Sequence, residues 1–122
     1  MNNYQKSQLF RLSLIILSLK NTVKFYNNML YYLNLEHGKL NKEIKKHDKE
    51  FEMYTRFKNG EKIDISVYSN LSALIECEKL QTEYKQKIKT IQAQIKKCEN
   101  SQKKMTGENE DNNSNLNKIF NN

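Results

Sequence analysis

Residues 56–67 have the sequence RFKNGEKIDISV, and the fold depends on how the chain passes through them. Asn59-Gly60 is a strong signal for a two-residue β-turn, and Phe57, Ile63 and Ile65 lie at alternating positions on either side of it. The same dipeptide can also end one helix and precede another. The stretch therefore predicts either two β-strands or the bend between two helices, and the flanking sequence must decide between them.

The composition favours helices. Among 122 residues there is no proline and there are only three glycines, so the residues that build most loops are nearly absent. The mean hydropathy is low, at −0.90, but the apolar residues recur at regular intervals, which argues against a disordered chain. The length allows one small domain.

A 3.5-residue repeat runs through both halves of the chain, which is typical of the seam of a coiled coil. It predicts one helix from about residue 5 to 58, a turn at 59–63 and a second helix from about 64 to 105. The second repeat contains more polar residues than the first but keeps a single phase. It consists of Val67, Asn70, Leu74, Cys77, Gln81, Tyr84, Ile88, Ile91, Ile95, Cys98, Gln102 and Met105. The first repeat consists of Leu9, Leu12, Ile16, Leu19, Val23, Tyr26, Leu30, Leu33, His37, Leu40, Ile44, His47, Phe51 and Tyr54.

Folding the chain at Asn59-Gly60 brings the two repeats face to face. Apolar positions then pair wherever two residue numbers add to 121, as for Ile44 with Cys77 and Ile16 with Met105. This agreement predicts an all-α fold, a long antiparallel helical hairpin over residues 1–106, and favours a helical bend at Gly60. The β-strand alternative would correspond to a prefoldin-like subunit.

The N-terminal segment is more apolar than a two-helix seam requires, as residues 12–19 (LSLIILSL) show. Residues 107–122 begin with a polar, Asn-rich connection and end in NLNKIF. We predict that 115–120 form a short third helix that packs on Leu14, Ile15 and Leu17, which would complete a three-helix bundle. Alternatively, the segment is a partner surface or a secretory signal, although no small-residue cleavage site follows it and it is too short to span a bilayer.

Neither the histidines nor the cysteines form a recognisable reactive site. His37 and His47 are ten residues apart, too far for two ligands on one helix, and two ligands do not make a zinc site. Cys77 and Cys98 are expected to be reduced, buried thiols. No catalytic triad, phosphate-binding loop or carboxylate pair is visible. We therefore predict a protein that is not an enzyme and uses no metal or small-molecule cofactor.

The formal net charge of +7 favours an acidic partner. A basic cluster at 39–49 places Lys42, Lys45, Lys46 and Lys49 on the outer face of the first helix. Interleaved acidic residues dilute it, whereas nucleic-acid binding usually requires a denser stripe of one sign. The cluster is therefore interpreted either as an ordinary solvated helix surface or as a docking face for an acidic protein.

The bend resembles that of the tubulin-binding cofactor A family, whose pattern is R-x-x-D-G-E-x-Y-D-I. The segment RFKNGEKIDI matches this pattern at Arg56, Gly60, Glu61, Asp64 and Ile65, and SLKNTVKFY is similar to the family's first-helix segment at Lys20, Val23 and Lys24.

The resemblance implies a monomeric, cytoplasmic and cytoskeleton-associated cofactor that holds β-tubulin before the tubulin heterodimer forms. From the charge pattern and the short apolar stretch we also expect no nucleic acid and no membrane as partner. The alternative function is a structural coiled-coil subunit of a larger assembly, such as a prefoldin-like chaperone. The predicted partner-binding residues are Lys20, Lys24, Lys42, Lys45, Lys46, Lys49 and Arg56.

Overall fold

The computed structural model describes residues 1–107, which form three α-helices: α1 (Asn3–Lys45), α2 (Asp48–Lys58) and α3 (Ser69–Met105). A 3-10 helix (Ile65–Val67) precedes α3. No residue in 1–107 is in a β-strand, so the all-α prediction is confirmed for this part of the chain. The third helix predicted at 115–120 lies outside the described residues.

The chain divides into two compact units. The central unit comprises residues 25–87, and the terminal unit comprises 1–24 together with the residues from 88 onwards, of which 88–107 are described. α1 packs against α3 in each of them. No helix within 1–107 combines the length and the hydropathy needed to cross a membrane.

The core of the central unit lies where all three helices meet. Ile44, Leu71 and Leu74 have no exposed surface, and burying each such side chain contributes about 1.5–3 kcal/mol. α2 therefore takes part in the core as a third helical layer. The half-buried side chains packed around the three are Leu40, Met53, Tyr54, Ile65, Tyr68 and Ile75.

The chain reverses direction between α1 and α2. His37 Nε2 and Tyr54 Oη both lie within hydrogen-bonding distance of the same carboxylate oxygen of Glu78, at 3.3 and 3.0 Å. In one straight helix these two residues, seventeen positions apart, would be separated by about 25 Å. α2 must therefore fold back beside α1, and the structure divides the helix predicted over about 5–58 at Lys46 and His47.

The pairing of α1 with α3 also differs from the predicted register. In the central unit His37 contacts Glu78 and Asn34 accepts a hydrogen bond from Gln81, so the residue numbers add to 115 instead of 121. Ile44 packs on Leu71 and Leu74 rather than opposite Cys77. The observed and predicted registers differ by six residues, which is close to one heptad. Nearly the same apolar face of each helix therefore meets the other helix in both registers.

Asn59-Gly60 ends α2 and does not connect two β-strands. Gly60 has φ +89°, in the left-handed region that favours glycine, and its N–H donates to the Phe57 carbonyl. The Glu61 N–H donates to the Arg56 carbonyl, which completes a Schellman cap. The carboxylate of Asp64 then accepts a hydrogen bond from the Ser66 N–H and caps the 3-10 helix. The following helix, α3, begins at Ser69, later than the predicted start near residue 64.

The terminal unit, as far as it is described, is a two-helix pairing. Its buried side chains are Ile16, Ile88 and Ile95, each less than a tenth exposed. Gln102 Nε2 donates to Ser13 Oγ at 2.9 Å, and these residue numbers also add to 115. Over residues 1–24 and 88–107, two helices form the core, whereas a third helix contributes to the core of the central unit.

Ile88→Asp is expected to lower the free energy of unfolding by about 3 kcal/mol or more, because an unpaired carboxylate would replace a buried side chain. Lys89→Asp, at the exposed neighbouring position, should change it by less than about 0.5 kcal/mol. Thermal unfolding followed by circular dichroism measures both. Equal melting temperatures for the two variants would contradict the packing described here.

Candidate functional site

Four predicted partner-binding lysines surround the reversal between α1 and α2. Lys42 and Lys45 lie in the last turn of α1, Lys46 in the turn itself and Lys49 in the first turn of α2, and all four are exposed. We call these four residues the basic corner. The fold brings them together because the chain turns within this short stretch. Lys46 Nζ lies 3.5 Å from the carboxylate of Glu43, so part of its charge is offset locally.

The other three predicted residues do not belong to the basic corner. Arg56 Nε donates a hydrogen bond to the Glu61 carboxylate, next to the cap that ends α2. Lys20 and Lys24 are in the terminal unit, where Lys20 Nζ lies 3.9 Å from Glu99. The structure therefore groups four of the seven predicted residues, assigns Arg56 a local structural contact and places two in a separate unit.

A polar cluster around Glu78 joins all three helices of the central unit. One oxygen of its carboxylate accepts a hydrogen bond from Tyr54 Oη of α2 at 3.0 Å and lies 3.3 Å from His37 Nε2 of α1. The other oxygen forms an ion pair with Lys58 Nζ at 3.0 Å. Only 22% of the Glu78 side chain is exposed. Sequence reasoning missed this cluster because its members come from three separate elements and no short motif links them.

The cluster shifts the pKa values of its members. Burial alone would raise the pKa of Glu78, but the polar contacts with Lys58, Tyr54 and His37 outweigh it and the pKa is lowered. The pKa of Tyr54 is raised, first by burial and then by its hydrogen bond to Glu78. The pKa of Lys58 is raised by its contact with Glu78. A charged carboxylate and a charged ammonium therefore hold the cluster together at neutral pH.

The two cysteines and His47 differ in how far they are buried and in what they contact. Cys77 is buried, its Sγ donates to the Leu33 carbonyl, and burial raises the pKa of the thiol, which therefore stays protonated. Cys98 is half-buried and also free. His47 is exposed at the start of α2. Within residues 1–107 no group of three His, Cys, Asp or Glu side chains could hold a metal ion.

An apolar stripe remains uncovered on α1 in the terminal unit. Phe10, Leu14 and Leu17 are 67%, 52% and 56% exposed and follow one another at helical spacing. Helix geometry places Phe10 and Leu14 on the side of α1 away from Ile16, whereas Leu17 lies at the edge of the α1–α3 pairing, where it lines a cleft with Glu99 and Gln102. We call Phe10, Leu14 and Leu17 the outer stripe. Two of its members, Leu14 and Leu17, were predicted to need a cover.

Comparison with models of protein families found no match, and comparisons with curated proteins and with solved structures found no significant match. The assignment of function therefore rests on the basic corner, the outer stripe and the sequence of the bend.

Proposed function

We propose that the protein is a non-enzymatic binding protein that holds an acidic partner, and that this partner is β-tubulin before heterodimer assembly. The basic corner is the observation that carries the proposal. The four exposed lysines outnumber the acidic residues interleaved with them, Glu43, Asp48 and Glu50, so the basic corner keeps a small net positive charge that favours an acidic surface. The corresponding location is the cytoplasm, in association with the cytoskeleton.

The choice of β-tubulin depends on the resemblance of residues 56–65 to the cofactor family. Several matching residues have a local role in the structure: Gly60 takes the left-handed backbone conformation, Arg56 pairs with Glu61, and Asp64 caps the 3-10 helix. These contacts support a shared way of ending one helix and starting the next. The partner itself is inferred from the resemblance alone.

Purified β-tubulin should bind the immobilised chain at low salt, and reversing the charge of the basic corner should weaken binding at least tenfold, which is about 1.4 kcal/mol. The variant is Lys42→Glu, Lys45→Glu, Lys46→Glu and Lys49→Glu combined. Binding of the unaltered chain should also weaken as salt increases, because exposed charges are screened. A pull-down with graded β-tubulin concentrations measures the change.

The matched control reverses four exposed lysines outside the basic corner and has the same net charge. It should bind within about threefold of the unaltered chain, while circular dichroism verifies that both variants are folded. No retention of the unaltered chain would remove β-tubulin as the partner. Equal loss in both variants would instead remove the basic corner as the site. The control residues are Lys62, Lys79, Lys85 and Lys89.

The second candidate function is a structural coiled-coil subunit of a larger assembly. The outer stripe favours it, because exposed apolar residues at coiled-coil spacing can pair with another helix. Light scattering at micromolar concentration separates the two candidates. A monomer supports the β-tubulin cofactor, and a defined oligomer supports the assembly subunit.

A further inference from the structure

By itself the outer stripe is too small for a stable interface with a separate protein, so a coiled-coil assembly subunit would need further contacts beside it. At about 100° per residue, Phe10, Leu14 and Leu17 lie within about 60° of the circumference of α1. They expose on the order of 300 Å² of apolar surface, whereas each partner in a stable interface buries about 800 Å². A short segment of apolar residues matches this size.

The charge around the outer stripe indicates what kind of segment would bind. Residues 1–24 contain no acidic side chain, and Lys6, Arg11 and Lys24 are exposed on the same helix as the stripe. A second copy of the chain would bring an equally basic surface, so self-association through this face is opposed by repulsion. Over 1–24 and 88–107, Glu99 stands against nine basic residues: Lys6, Arg11, Lys20, Lys24, Lys89, Lys96, Lys97, Lys103 and Lys104.

The sequence after α3 has the complementary chemistry. Residues 108–114 (ENEDNNS) contain three acidic side chains and no basic one. Residues 115–120 (NLNKIF) contain Leu116, Ile119 and Phe120, spaced by three and one, so that one face can hold all three. An acidic stretch followed by three apolar residues fits a basic surface that bears three uncovered apolar residues.

The end of α3 lies close to the outer stripe. The hydrogen bond from Gln102 to Ser13 places the last turns of α3 beside the first part of α1. Gly107, with φ +73°, ends the helix in the left-handed conformation. The seven residues 108–114 can span up to about 25 Å, more than the about 10–12 Å diameter of a helix. Residues 115–120 can therefore reach the far side of α1.

We propose that residues 115–120 pack on the outer stripe of the same molecule, with the acidic residues of 108–114 beside the lysines of α1. Because the segment is tethered, its effective concentration is of millimolar order, so a contact area too small for a separate partner is sufficient. The inference concerns the terminal unit and does not depend on the basic corner or on β-tubulin.

A double-mutant cycle in the full chain tests the contact. Leu17→Gln and Ile119→Gln should each lower the melting temperature by about 4 °C, and the combined variant should lower it by little more than either alone, because both changes remove one interaction. The control is Leu35→Gln, an exposed apolar position in the central unit. Its effect should add to that of Ile119→Gln. Additive effects for Leu17 and Ile119, or no effect, would overturn the proposal.

Zero-length carbodiimide cross-linking gives a second, independent readout. The monomer fraction should contain links from Lys6 or Lys24 to Glu108, Glu110 or Asp111, identified by mass spectrometry. Links found only in a dimer fraction would make a second copy the occupant. Co-sedimentation of the unaltered chain with phosphatidylserine vesicles, without the intramolecular links, would make an anionic membrane the occupant. Either result would overturn the proposal.

Discussion

Leu74→Ala is expected to lower the free energy of unfolding by about 2–5 kcal/mol, among the largest effects of any single truncation in this chain. Leu74 has no exposed surface and lies in the core with Ile44 and Leu71. Removing its side chain loses the transfer free energy and leaves a cavity, which α1, α2 and α3 cannot close without moving together. Urea denaturation followed by circular dichroism at 222 nm measures the change.

Leu35→Ala is the matched control, because Leu35 lies in the same unit but is 47% exposed. Its truncation should change the free energy of unfolding by no more than about 0.5 kcal/mol. If both variants lost the same stability, the burial of Leu74 would not be what holds the central unit together. A loss below 1 kcal/mol for Leu74→Ala alone would lead to the same conclusion.

The heptad repeat predicted most of the buried residues, although Leu71, which has no exposed surface, lies outside it. Ile16, Ile44, Leu74, Cys77, Ile88 and Ile95 all belong to the predicted seam and are all buried in the structure. The reason is geometric: a helix packed along its length against another must repeat its apolar face about every 3.5 residues, and that period is visible in the sequence. The all-α hairpin of α1 and α3 therefore follows from the sequence alone.

The reversal between α1 and α2 could not be predicted in the same way. The turn at Lys46 and His47 contains neither glycine nor proline. The side chain of His47 forms no capping hydrogen bond at the start of α2. The apolar repeat also continues through the break. α2 buries its own apolar face, which includes Met53 and Tyr54. The spacing of these apolar residues nearly continues the repeat of α1. A continuous repeat thus concealed two helices that run in opposite directions.

The register between α1 and α3 could not be predicted, for a related reason. A pattern with a seven-residue period fits almost equally well when one helix is shifted by a heptad, so apolar spacing alone cannot choose between pairings that differ by this amount. The polar contacts distinguish them: Gln81 reaches Asn34, and Glu78 reaches His37. The sequence contains these residues but no local signal that pairs them. The basic corner was predictable because its lysines are neighbours in the chain.

Glu78→Ala is expected to lower the free energy of unfolding at pH 7 by about 1–3 kcal/mol. The Tyr54 hydroxyl and the Lys58 ammonium would lose the carboxylate that binds them, and α2 would lose its polar connection to α3. Glu76→Ala, an exposed carboxylate two residues earlier on α3, should change stability by less than about 0.5 kcal/mol. Similar losses for the two variants would show that the Glu78 cluster contributes little.

Lowering the pH should remove the stabilisation that the Glu78 carboxylate contributes to the folded state. The pKa of Glu78 is lower in the folded chain than in the unfolded chain. An unfolded glutamate titrates at about pH 4.3, so the unfolded state binds the proton first as the pH falls. The stabilisation is complete above that pH and disappears as the pH falls through the lower, folded value. The unaltered chain should therefore lose more stability between about pH 5 and pH 3 than Glu78→Gln, which cannot titrate. Urea denaturation of both at several pH values measures the two slopes, and parallel slopes would mean that the carboxylate is not stabilised by Tyr54, Lys58 and His37.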